Sequence, residues 1–294
     1  LSLLKVVEDT AVRLIGRAVT YLPSDVKDAL RKARDSEEND TARMILSTVL
    51  ENIRLAEELR TPMCQDTGII VFYVKVGTDF GSVARVREAL RRATQRATVE
   101  VPLRPNAVHP LTRKNSNDNT GVEIPYIDWE YGEGDALEVT AFPKGAGSEN
   151  MSTFSMLKPS EGETAVKKLV VDAVIRAGGQ PCPPTVVGVG IGGTADLSLK
   201  LAKRALLRPI ADSHPEQEFA RLEREILRGI NLTGIGPMGV GGATTSLSVK
   251  IEYAHCHTAS LPVGVNLQCW AARRASARIH RTGLVEYPKE TGRE

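Results

Sequence analysis

The stretch Thr61-Pro62-Met63-Cys64-Gln65-Asp66-Thr67-Gly68, followed at once by Ile69-Ile70-Val71-Phe72-Tyr73-Val74-Lys75-Val76, decides how the chain is read. A proline and a glycine bracket a thiol, an amide and a carboxylate in adjacent positions. The apolar run behind them, rich in β-branched and aromatic residues, predicts a strand. Ahead of them Asp40 is placed to cap a helix whose apolar stripe is Ala42, Ile45, Leu46, Val49, Ile53 and Leu55. A helix that stops at three reactive groups and turns into a strand puts chemistry at the end of a buried element.

Upstream, Leu4, Val7, Ala11, Leu14, Ile15 and Ala18 recur at helical spacing, and Ser24 is placed to cap a helix through Leu30. Residues 1–60 therefore read as a helical N-terminal region. Downstream, an arginine-rich helix is expected from Phe80 to about Val99. A proline-punctuated stretch, 101–110, and a polar loop, 112–122, follow. Ala136–Phe142 reads as a strand leading into the small-residue turn 143–150. Ser160-Glu161-Gly162-Glu163 has the form of a capping box, opening a helix that stops at Gly178-Gly179. Strands are expected at 186–191 and 247–253, helices at 195–207 and 215–228, and a frayed, basic tail over the last twenty residues. The expected fold is α/β of the mixed α+β kind, with sheets flanked by helices. Residues 61–280 form its cluster- and substrate-binding part, continuous with 1–60 in one domain, and 281–294 are tail.

Composition narrows the function. In 294 residues the charged side chains, 25%, balance to a net charge of +2, which argues against a polyanion or nucleic acid as partner. Aromatic residues, 4%, are too sparse for a base-stacking platform. No apolar run of about 18 residues predicts a membrane span. The N-terminal stretch, with acids inside its apolar part, does not read as a signal peptide, and the few cysteines read as reduced thiols of a cytoplasmic protein. Four cysteines are too few for a disulfide scaffold and follow no tandem zinc spacing.

Three of those cysteines sit in constrained, polar connections: Cys64 in the opening stretch, Cys182 in Gln180-Pro181-Cys182-Pro183-Pro184, and Cys269 in Asn266-Leu267-Gln268-Cys269-Trp270. Buried cysteine on an apolar helix face is the common structural case, and these are not on such faces. Thiolates favour iron–sulfur clusters or zinc. Electron-transfer [4Fe–4S] clusters take four cysteines, so three leave one iron open for a substrate oxygen, which suggests catalysis. Cys256, between His255 and His257, reads as a buried small residue. Around the cysteines, Asp66 is placed to move a proton and Gln65 to donate to a substrate oxygen. Arg104, between prolines, offers a planar fork for a carboxylate. The Gly145–Gly147 turn offers backbone N–H groups to an anion. His257 can carry a proton or donate a hydrogen bond. His255 reads as structural, and His214 and His280 as surface histidines.

Two other readings compete. Gly188-Val189-Gly190-Ile191-Gly192-Gly193 satisfies the G-x-G-x-x-G pattern of a dinucleotide-binding oxidoreductase, with Asp212 at the distance of the ribose-binding acid. The stretch before Asp212 contains Pro209 and makes no convincing strand. A structural zinc on the three cysteines would need a fourth ligand, Cys256 or His257.

At these residues the sequence resembles a known family. Met63–Gly68, Pro143-Lys144-Gly145-Ala146-Gly147-Ser148-Glu149-Asn150, Gly188–Thr194, Gly234-Ile235-Gly236-Pro237-Met238-Gly239 and Ala254-His255-Cys256-His257-Thr258-Ala259-Ser260-Leu261-Pro262-Val263 resemble the class I, iron–sulfur-dependent fumarate hydratases. The likeness is greatest to the α subunit of the two-subunit form, shared with L(+)-tartrate dehydratase, and spans about residues 5–280. It implies a [4Fe–4S] cluster on Cys64, Cys182 and Cys269, its fourth iron open to substrate. Gln65, Asp66, Arg104, the Gly147 backbone and His257 are its implied substrate contacts, with Asp66 and His257 catalytic. It also implies a small dicarboxylate substrate and a separate β subunit, in an α2β2 heterotetramer. The chain departs from the family pattern at Ala146, where a glycine is usual, and at Ala243, where a lysine is usual.

Overall fold

A computed structural model describes residues 2–81 and 83–288. Its helices are α1 (Leu3–Thr20), α2 (Ser24–Ser36), α3 (Asp40–Leu59), α4 (Val83–Glu100), α5 (Ala146–Glu149), α6 (Gly162–Ala177), α7 (Ala195–Ala205) and α8 (Gln217–Asn231). Its strands are β1 (Ile69–Gly77), β2 (Tyr126–Gly132), β3 (Ala136–Lys144), β4 (Thr153–Leu157), β5 (Thr185–Gly192), β6 (Ser246–Ala254), β7 (Leu261–Gln268), β8 (Ala275–His280) and β9 (Val285–Glu286). The fold class is mixed α/β. The chain divides into two compact units, one of Leu1–Pro23, Asn52–Ala146 and Arg273–Glu294, the other of Ser24–Glu51 and Gly147–Ala272.

The first unit is a five-stranded sheet, order β2-β1-β3-β8-β9, in which only β1 and β2 run parallel. Helices α1 and α4 bury their stripes against one face of it. Val7, Ala11, Leu14 and Ile15 meet Val86, Leu90 and Ala93 over Ile70, Phe72, Val74 and Val76 of β1. The period of 3.6 in α1 and of 2 in β1 puts those residues on facing surfaces. Strand β2 is not marked in the sequence, because its Asp128, Glu130 and Tyr131 interrupt the apolar run. Strands β8 and β9 correct the expectation of a frayed tail from residue 275 onward. Ala275, Ala277 and Ile279 are buried where β8 pairs with β3. The tail from Lys289 on lies outside the described residues.

The second unit is a four-stranded mixed sheet, order β4-β7-β5-β6. The strand period again sorts its two faces. Val187 and Val189 of β5, Val249 and Ile251 of β6, and Val263, Val265 and Leu267 of β7 pack under Val166, Val170 and Val174 of α6 and Leu222, Ile226 and Ile230 of α8. The alternate positions on β5 and β7 are Gly188, Gly190 and Gly264, and α7 lies on them. A Cβ at Gly188 would stand 2.0 Å from the Ala202 carbonyl oxygen, and one at Gly190 1.9 Å from that of Ser198. Backbone thus packs directly on backbone.

Two caps differ from the sequence reading. Asn39, not Asp40, caps α3, its Oδ1 accepting from the Ala42 N–H at 3.0 Å. Ahead of α6, Glu161 reaches back to the Lys158 N–H at 3.3 Å. Glu163, the expected capping-box acid, instead bridges to α8. Its carboxylate meets Arg221 at 2.6 Å and Lys167 at 2.6 Å, and Arg221 also meets Glu225 at 2.8 Å. The Arg221 guanidinium first, then the Lys167 ammonium, hold the Glu163 carboxyl at about 2, down from 4.5. A folded-state value below the unfolded one adds stability that is present in full above pH 4.5 and lost as pH falls through about 2. All four side chains are more than a third exposed, so screening holds the gain below about 1 kcal/mol. Thermal melts from pH 6 down to pH 2 should therefore show a shallower decline for Glu163→Gln than for the parent chain.

Candidate active site

The turn at 61–68 is fixed before it reaches Cys64. The Met63 N–H donates to the Val19 carbonyl at 2.9 Å, and Asn52 Nδ2 donates to the Met63 carbonyl at 2.8 Å. Met63 is buried, Cys64 and Asp66 are half-buried, and Gln65 is exposed. Gly68 closes the turn at φ +85°, where a Cβ would stand 2.8 Å from the Lys144 backbone nitrogen. Only glycine satisfies both the left-handed backbone and that approach.

Asp66 is held by three N–H donors. Its Oδ1 accepts from the Gly68 N–H at 2.9 Å and from Asn106 Nδ2 at 3.3 Å. Its Oδ2 accepts from the Ala146 N–H at 2.7 Å. A carboxylate offers about four acceptor sites, so about one remains for an incoming proton. Arg104 is rooted beside it. Its N–H donates to Thr67 Oγ1 at 3.0 Å, and its carbonyl accepts from Asn119 Nδ2 at 3.1 Å. Thr67 and Asn119 are 3% and 1% exposed, which makes the root rigid, while the guanidinium is exposed and unpaired among the described residues. Cys64, Gln65, Asp66 and Arg104 thus share one end of the first unit. The sequence reading missed Thr67, Asn106 and Asn119. Their only local signal is the asparagine-rich run 115–119, where Asn117 and Asn119 take left-handed φ of 65° and 57°.

The second unit brings together Cys182, Cys269 and Gly147. Cys182 follows the Gly178-Gly179 helix stop with φ at 54°, an uncommon value for a residue with a side chain. Its carbonyl accepts from the Trp270 N–H at 3.1 Å, which ties it to the residue after Cys269. A Cβ on Gly147 would stand 3.1 Å from the Gln180 carbonyl oxygen, so the exposed Gly147 lies against the Cys182 loop. Cys182 is exposed and Cys269 half-buried, and none of the four cysteines is in a disulfide. Two cysteines on loops tied by the Cys182–Trp270 hydrogen bond, one exposed and one half-buried, fit ligands of an iron–sulfur core, in which iron and sulfide stand between the cysteines. Zinc would gather four donors around one ion. Among the described residues, no group of three His, Cys, Asp or Glu side chains is placed to hold one ion.

His257 stands apart from Cys182 and Cys269. Cys182 and Cys269 flank the end of the sheet where Val186 of β5 faces Gln268 of β7, whereas His257 follows the other end, where Gly192 faces Ala254. The strands put about 20 Å between them. His257 is exposed, and its Nδ1 accepts from the Ala259 N–H at 3.1 Å, so the neutral ring carries its proton on Nε2, which has no partner among the described residues. It borders a cavity of about 390 Å³ walled by Val166, Phe219, Leu222 and Leu261. Cys256, expected to be buried, is exposed there, with Sγ 3.2 Å from the Ser260 carbonyl oxygen. His255 is exposed as well. His214, expected at the surface, is 8% exposed, its N–H donating to Glu223 at 3.1 Å.

The glycine fingerprint has a packing explanation. Gly188 and Gly190 face α7 instead of a groove that a pyrophosphate could enter. Asp196 sits in the first turn of α7 with its carboxylate 2.6 Å from Thr194 Oγ1, where a phosphate would meet like charge. Asp212 lies in a loop, not at a strand end.

The profile of the family described as fumarate hydratase (fumerase) matches residues 8–278. The chain belongs to that family, and it is a hydro-lyase. It is 50% identical over 277 residues to a Methanocaldococcus jannaschii protein named "Putative L(+)-tartrate dehydratase subunit alpha", covering 93% of this chain and 97% of that one. It is 37% identical over 262 residues to the L(+)-tartrate dehydratase subunit alpha of Escherichia coli strain UTI89, covering 89% and 86%. No helix among the described residues is long and apolar enough to cross a membrane.

The glycine packing is directly testable. Gly190→Ala should destabilise the chain by about 1–3 kcal/mol or more, read as a lowered thermal midpoint, because the clash is with backbone. A fluorescence titration of the parent chain with NAD(H) should show no saturable binding.

Proposed function

We propose that the chain is the α subunit of a cytoplasmic [4Fe–4S] hydro-lyase that interconverts fumarate and (S)-malate, its site completed by a separate β subunit in an α2β2 assembly. The observation that carries this reading is the pairing of an anchored carboxylate, Asp66, with a rooted but uncommitted guanidinium, Arg104, beside the Cys64 thiol. The same chemistry on L(+)-tartrate, giving oxaloacetate, is the second reading, and the names of the relatives favour it. The two substrates differ by one hydroxyl, and the side chain that senses it can lie on either subunit.

Cys64, Cys182 and Cys269 would hold the cluster. When bound, it supplies an open iron that acts as a Lewis acid on the substrate hydroxyl. The chain's own groups do the rest. Arg104 grips a substrate carboxylate and, as the C3 proton leaves, stabilises the charge that develops on it. Asp66 takes up or relays that proton through its remaining acceptor site. The exposed Gln65 amide donates to a substrate oxygen, and the Gly147 N–H to a carboxylate. His257 stands too far from the cysteines of its own sheet to reach the same substrate. Its Nε2–H, unpartnered among the described residues, is assigned to the cysteine end of a second copy of the chain.

The test begins with the chain and its partner subunit purified anaerobically, with iron and sulfide counted and turnover followed on (S)-malate and L(+)-tartrate separately. About four irons per chain with malate turnover is the expected result. Four irons with tartrate turnover alone selects the second reading, and absence of iron overturns the cluster. Cys64→Ser, Cys182→Ser and Cys269→Ser should each lose both iron and activity, while Cys256→Ser keeps both. Co-expressing a His257→Asn chain with a Cys269→Ser chain tests the sharing of sites. A mixed assembly has one of its two sites intact and should keep about half the parent activity, so a randomly paired pool should recover about a quarter. If His257 acted within its own chain, none would return.

A further inference from the structure

Arg273 is the largest fully buried side chain among the described residues, 1% exposed. Its Nη1 donates to the Asp66 backbone carbonyl at 3.0 Å. Its Nε has no hydrogen-bond partner among the described residues. No carboxylate among the described residues forms an ion pair with it. A buried, uncompensated guanidinium is costly, and an apolar side chain of similar volume commonly leaves a fold as stable or more so. Packing alone therefore does not account for an arginine here.

What the guanidinium touches does account for it. A Cβ on Gly145 would stand 3.1 Å from Asp66 Oδ2 and 3.6 Å from Arg273 Nη2, so the bare Gly145 leaves room for both groups. The next residue, Ala146, donates its N–H to Asp66 Oδ2. Arg273 thus holds the main chain of Asp66 on one side and lies along the turn that holds the Asp66 carboxylate on the other. A planar fork can do both at once, and an ammonium cannot.

We infer that Arg273 is a positioning residue for Asp66. It fixes the angle of the 64–68 turn and stands as a positive charge, in no ion pair among the described residues, behind a turn that gathers thiolate, carboxylate and substrate anion. The inference rests on the reading of Asp66 as the proton-moving group.

The test compares Arg273→Met, Arg273→Lys and the parent in the complete assembly. Amide hydrogen exchange at Gly68 and Ala146, whose N–H groups both hold Asp66, is the readout that needs no turnover. Exchange at both should quicken about tenfold in Arg273→Met, while the thermal midpoint holds or rises. On malate or tartrate, kcat should fall about 10²-fold with KM within about threefold, at parent iron content. Arg273→Lys should recover little of either, and it decides the matter if the methionine variant does not fold. Unchanged exchange at both amides overturns the inference, as does a kcat loss that only tracks lost iron or lost folded protein. Because exchange is measured without substrate, a chain that turns over neither acid would sink the proposed function and leave this inference standing or falling by itself.

Discussion

Gly68 can carry no side chain, and the candidate site of the first unit depends on that. The main chain of β3 runs so close to it that a Cβ would stand 2.8 Å from the Lys144 nitrogen. That approach sets the depth at which the 61–68 turn meets the sheet. It also brings the 145–146 turn within hydrogen-bond reach of Asp66, since β1 and β3 are in register at Ile69 and Lys144. Thr67, the residue before, is then buried where it can pin Arg104. The thiol, amide and carboxylate of the turn are presented together because the glycine behind them lets two backbones touch.

The second unit uses the same device on a larger scale. Glycines at alternate positions of β5 let α7 lie on the sheet with no side-chain layer between them, while the valines between those glycines fill the opposite face under α6 and α8. One eight-residue strand therefore meets two kinds of neighbour, a consequence of the period of 2. The sheet so formed fixes its two ends as separate places. Cys182 and Cys269 belong to one end, and the loop with His257 and the neighbouring cavity belongs to the other.

Buried polar groups mark where function and packing meet. Asn119 and Thr67, almost fully buried, spend their hydrogen bonds on the backbone that carries Arg104. Glu163 shows the ordinary alternative, an exposed ion-pair network joining two helices with only a small contribution to stability. The difference lies in burial. A buried polar group must be satisfied, so its partners are fixed, whereas a surface pair can exchange its partners for water.

Whatever depends on neighbours in the chain was legible in the sequence alone. The apolar stripe of α1, the alternation in β1, the glycine stop after α6 and the loop settings of Cys64, Cys182 and Cys269 are local patterns that the structure keeps, while α3 keeps its stripe from Ala42 to Ile53 but leaves Leu55 40% exposed. The family's motifs are local as well, and they identified the hydro-lyase. Where local signals misled, a distant partner had taken over. Glu163 left its expected cap for Arg221 of α8, the basic end segment became β8 because β3 offered it an edge, and His214 was drawn inward by Glu223. Only the tertiary structure decided that Asn106, Asn119 and Arg273 serve the Asp66 turn, and that His257 lies a strand's length from Cys182 and Cys269. Those relations join residues tens to hundreds of positions apart, and a single sequence carries no mark of which distant donor a buried acceptor will find.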